Sequence, residues 1–82
     1  MSGEESKTLK SPALVIDLQG QAEHIVYRNA ENGYTVLRIR VRGYPDLVTA
    51  VGIAAEPAPG EMLTMKGRWE ENSRYGMQFH FD

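Results

Sequence analysis

Arg38, Arg40 and Arg42 recur at every second position of the run Leu37-Arg38-Ile39-Arg40-Val41-Arg42. An extended chain therefore shows a row of guanidinium groups on one face and an aliphatic stripe on the other. Such a row is chemistry for holding a polyanion such as an oligonucleotide. Tyr27, Tyr34, Tyr44 and Tyr75 fall near expected loops, where an exposed ring can stack on a base; Tyr44, in the turn beside the arginines, is the best placed. Lys66 and Arg68 extend the surface on a later strand, with Arg74 in the last loop, while Glu70 and Glu71 weaken it. The nucleic-acid-binding candidates are thus Arg38, Arg40, Arg42, Tyr44, Lys66 and Arg68. A plainer account exists for each: a half-buried antiparallel strand must show polar residues to water, and a turn tyrosine commonly covers the mouth of a barrel.

Other chemistries have little to work with. The chain has no cysteine, which excludes a disulfide scaffold, a thiolate metal site and a cysteine nucleophile. His24 and His80 belong to different expected strands without a nearby ligand set, so no metal site is assigned. No G-x-x-x-x-G-K-[ST], G-x-S-x-G or H-E-x-x-H motif occurs, and Glu56, Glu61, Glu70 and Glu71 sit in loops or at strand ends. No residue is given a catalytic role and no cofactor is expected in this chain. The formal net charge of −2 lacks the basic excess of a strong autonomous nucleic-acid binder. Binding to DNA is therefore expected to be weak and salt-sensitive.

The elements that position these residues are strands. The chain of 82 residues is one domain, without a run of roughly 20 apolar residues that would span a membrane. Residues 1–13 read as a flexible leader rich in Ser, Glu and Lys, and the domain proper as 14–82. Gly and Pro divide the rest into strands near Val15–Arg28, Tyr34–Arg42, Asp46–Ile53, Met62–Glu70 and Met77–Phe81. Gly20 is the expected bend of a long first strand, and Asn32-Gly33 the expected tight reversal into the second. Leu63, Met65, Gly67 and Trp69 alternate inward on the fourth strand. The fifth strand pattern is still in progress at Asp82, as in a domain cut from a longer protein. Short strands with exposed edges invite aggregation, so the expected fold is all-β: a small five-stranded antiparallel Greek-key barrel, an OB-fold. Pro57, Pro59 and Gly60 leave no room for a substantial helix between strands three and four.

Gly20, Ile25, Tyr27, Asn29, the run Glu31-Asn32-Gly33-Tyr34-Thr35-Val36, then Val51-Gly52, Pro59-Gly60-Glu61, Gly67, Trp69, Tyr75-Gly76 and Gln78-Phe79 appear in an order shared with one family. Over Gly20 to Phe81 the chain resembles the amino-terminal OB domain of RecD/TraA-family, YrrC-like helicases, related to the alpha subunit of exodeoxyribonuclease V. The resemblance implies a bacterial, cytoplasmic ATP-dependent DNA helicase as the parent. Its motor, with the ATP and Mg that the motor uses, lies outside this sequence. The fragment is then no enzyme but an accessory module, guiding single-stranded DNA through the Arg38, Arg40, Arg42 face. The alternative is a protein-interaction module that docks on the helicase motor of the same chain or on another replication or repair protein. Ile53-Ala54-Ala55 and Glu70-Glu71 suit that second role.

Overall fold

A computed structural model of the protein describes residues 14–82, and the leader expected over residues 1–13 lies outside the described residues. The strands are β1 Ile16–Arg28, β2 Tyr34–Arg40, β3 Val48–Ile53, β4 Met62–Asn72 and β5 Gly76–Phe81. They are ordered β1-β2-β3-β5-β4 in one sheet, and β4 pairs back with β1, so the sheet closes on itself.

The expectation of an antiparallel Greek-key barrel is corrected at one seam. β3 and β5 run parallel, with Ala50 beside Phe79 and Gly52 beside Phe81, which makes the sheet mixed. The remaining pairings are antiparallel. Side-chain alternation is the same beside a parallel or an antiparallel neighbour, so it says which face a residue takes and not which way the adjacent strand runs.

Parity sets the core. Leu37 and Ile39 of β2 are buried at 1% and 0% exposure, with Val41 just beyond the strand, and they pack with Leu18, Ala22, Val48, Ala50, Met65, Phe79 and Phe81. Burial of each large side chain contributes about 1.5–3 kcal/mol before entropy is charged against it. The end of β5 passes between two glycines. A Cβ on Gly52 would fall on the Phe81 carbonyl oxygen, and one on Gly67 on the His80 carbonyl oxygen, so both positions need a bare Cα for the strands to meet.

Gly20 is not where β1 bends its register. It pairs regularly with Leu63, while the irregularities against β2 fall between Ala22 and His24 and between Ile25 and Tyr27. What Gly20 supplies is space: a Cβ there would lie 3.0 Å from both Ile39 Cδ1 and Val41 Cγ2. The β1–β2 turn also differs in detail from a two-residue reversal. Only Gly33 has positive φ, at 79°, and the Gly33 amide donates to the Asn29 carbonyl at 2.8 Å, closing a longer loop. Residues 54–61 form an irregular connection tied to β1 by Gly60 N–H donating to Ala22 O and Ala22 N–H donating to Glu61 O, each at 2.8 Å. Arg28 is part of the same anchor, with Nη2 donating to the Ala54 carbonyl at 2.9 Å.

Candidate nucleic-acid interface

The six expected residues are spread over β2, β4 and the turn that follows β2. Arg40 is ion-paired to Glu23 at 3.2 Å, Lys66 to Asp17 at 3.1 Å and Arg68 to Glu70 at 2.9 Å. Strand order separates them further, because β2 and β4 are divided by β1 on one side and by β3 and β5 on the other. Arg42 lies past the end of β2 in the turn where Tyr44 N–H donates to the Val41 carbonyl at 3.1 Å. Tyr44 spends one ring face on Trp69, with centroids 5.8 Å apart and planes 25° from parallel.

Arg38 is placed differently. It stands on the outer face of β2, between His24 of β1 and Thr49 of β3, and lines a groove of about 430 Å³. Val36 and Val51, paired across β2 and β3, form an apolar floor. Tyr34 and Tyr75 stand at the rims, 39% and 69% exposed, and Gln78 of β5 adds a polar wall. Among the described residues no carboxylate comes within ion-pair distance of Arg38. Its Nε is buried and has no hydrogen-bond partner. Burial keeps Nε itself out of reach, and Arg28 Nε is in the same state, so what Arg38 brings to the groove is its positive charge without a carboxylate beside it.

Asparagine side chains set both rims. Asn32 Oδ1 accepts from Tyr34 N–H at 2.9 Å and Asn29 Oδ1 from Glu31 N–H at 2.9 Å, fixing the loop that delivers Tyr34 to β2. At the other rim Asn72 Oδ1 accepts from Arg74 N–H at 2.8 Å and Tyr75 N–H at 3.0 Å, and Gly76 follows at φ 81°. The Arg74 guanidinium lies 5.8 Å from the centroid of the Tyr75 ring, and Tyr27 tilts against Tyr34 at 6.2 Å. Sequence favoured Tyr44 because its turn lies beside the arginines. The signal for Tyr34 and Tyr75 was local instead: each touches a glycine and follows a turn-forming asparagine.

Flat apolar floor, aromatic rims and one available guanidinium suit a chain of stacked bases carrying phosphates, with no need for base-edge readout. Groups of three or more His, Asp or Glu side chains able to hold a metal ion do not occur among the described residues. A second cavity of about 380 Å³ opens at another part of the surface, lined by Ile53, Ala54, Ala55, Pro57, Leu63 and Phe81.

Residues 16–82 match the family model described as the OB-fold domain of the ATP-dependent DNA helicase YrrC. No curated protein and no solved structure matches the chain.

Proposed function

The chain belongs to the family of YrrC-type DNA helicase OB-fold domains, and from that premise we propose that it is an accessory module holding single-stranded DNA weakly in the groove between Tyr34 and Tyr75. The observation that carries the proposal is Arg38: a guanidinium without a carboxylate partner among the described residues, set over a valine floor between two tyrosines. Bases would stack on the tyrosine rings and a phosphate would take the Arg38 donors. Arg38 is the one cation among the residues lining that groove, so phosphate contacts there are few, which accords with weak binding at a net charge of −2. In this reading ATP and magnesium serve the motor of a parent helicase, which works in the bacterial cytoplasm where its DNA is. The described residues contain no helix long and apolar enough to cross a membrane.

Amide-resolved NMR titration with a short oligo-thymidine, at low salt and near physiological salt, tests the proposal. Salt-dependent shifts gathered on Tyr34, Arg38, Val51 and Tyr75 are expected; a spectrum unmoved at millimolar oligonucleotide would overturn it.

The second reading, docking on the parent's motor or on a replication or repair protein, has its own observation. Ile53 is 56% exposed and, with Ala54 and Ala55, lines the apolar cavity away from Arg38. Partner binding of that kind would survive moderate salt and be lost on Ile53→Asp, with Arg38→Ala harmless.

A further inference from the structure

Arg68 is remote from Arg38 in strand order yet reaches the same groove system. A row of cross-strand neighbours runs from Val36 to Val51, from Val51 to His80, and from His80 to Arg68. Along that row lies a hollow of about 470 Å³ whose lining includes Tyr34, Val51, His80 and Arg68, and also the acidic Asp82. It shares Tyr34 and Val51 with the groove that holds Arg38. A strand of nucleic acid leaving the Tyr34 rim therefore meets Arg68 and His80 next.

One carboxylate occupies both of those groups. Glu70 Oε2 lies 2.9 Å from Arg68 Nε, and Glu70 Oε1 lies 3.7 Å from His80 Nδ1. The far nitrogen of the same imidazole, Nε2, is 3.3 Å from Gln78 Oε1, on the wall of the Arg38 groove. The pair is open to solvent, with Arg68 and Glu70 side chains 40% and 41% exposed. Exposed ion pairs of this kind are weak and exchange readily, so a phosphate is able to take over the arginine.

We propose that Arg68, with His80 beside it, is a second phosphate-binding position of the single-strand track, and that Glu70 holds it neutral while no nucleic acid is bound. The proposal rests on the reading that the Arg38 groove takes single-stranded DNA. Glu70 is a brake: its carboxylate competes with phosphate for the same guanidinium, so the affinity of the track is set lower than its cations alone would allow.

Fluorescence anisotropy of a labelled oligo-thymidine, measured from low to physiological salt on the 82-residue chain, tests this. Glu70→Gln keeps size and hydrogen bonding but drops the charge. It is expected to tighten binding about fivefold at low salt and to steepen the log–log salt slope by about 0.7, one added phosphate contact on a single strand. Glu71→Gln removes the same net charge next door without touching Arg68, and less than about a twofold change is expected. Adding Arg68→Ala to Glu70→Gln should return affinity to the wild-type level. An equal gain in Glu71→Gln, or no gain in Glu70→Gln while Arg38→Ala still weakens binding, overturns the second position and leaves the groove reading standing. If neither wild type nor Glu70→Gln binds at low salt, both fall.

Discussion

Tyr44 lies flat on Trp69, and Trp69 sets its edge on Phe79 at 5.3 Å and 72°, so a turn residue is joined to the core through two aromatic contacts. Phe79 is wholly buried at 0% exposure, whereas Tyr44 remains 43% exposed. The stack makes Tyr44 a cover for the indole and commits one of its two ring faces to it.

Tyr44→Ala should therefore act on stability. A loss of about 1–2 kcal/mol is expected from the lost aromatic pair and contact area. Urea unfolding followed by fluorescence of Trp69, the single tryptophan, reads it directly. Oligonucleotide affinity should stay within twofold, and a large loss of affinity in a stable Tyr44→Ala protein would return Tyr44 to the interface.

Gly67→Ala and Gly52→Ala place a methyl against the carbonyls of His80 and Phe81, backbone atoms that cannot step aside without parting β5 from its neighbours. Overpacking usually costs about 1–3 kcal/mol, and a clash with paired backbone belongs at or above the top of that range. Circular dichroism during urea titration should show either protein unfolding far earlier than wild type. A midpoint unchanged by Gly67→Ala would mean that β5 sits differently from the arrangement described.

Tyr34→Ala and Tyr75→Ala should each weaken oligo-thymidine binding by about 1–3 kcal/mol with little change in salt slope, because stacking releases few counterions. Arg38→Ala should reduce the slope by about 0.7. Arg40→Ala and Lys66→Ala should have small effects, since neither residue lines the Arg38 groove or the hollow beyond it. Anisotropy across a salt series separates the patterns, and equal losses for all three basic residues would favour a diffuse charged face over the groove.

Gly33→Ala should disturb Tyr34 specifically. The residue holds φ at 79°, and a Cβ would come within 3.3 Å of the Ala54 carbonyl oxygen. Strain of about 1–2 kcal/mol is expected. Amide shifts confined to the β1–β2 turn and Tyr34, with a matching loss of oligonucleotide affinity, are the checks.

Strand positions were legible because their cause is local. Leu37, Ile39 and Val41 alternate with arginines, and that parity put them in the core, where they are. All five expected strands match the observed ones to within two residues at each end; β4, for example, begins at Met62 and runs on to Asn72, two residues past its expected end. The residues around Gly33 and Gly60 punctuate the chain as expected, since glycine tolerates the positive φ that a turn needs. Gly20 was harder: a glycine forced by a neighbouring strand and one forced by its own bend look identical in sequence.

The amino-acid sequence by itself determined that this chain makes five strands with one aliphatic face each, and it carries the ordered motifs of the helicase OB-fold domain family. Tertiary structure alone decided that β3 meets β5 in parallel, and from that pairing comes the row that links Val36 to Arg68. It also decided which cations are spent. Arg38 and Arg40 are indistinguishable by type and spacing, but Glu23 comes to Arg40 from β1, whereas Arg38 faces valines and tyrosines. Parity is written residue by residue along the chain, while ion pairing and groove formation depend on which strands closure brings side by side.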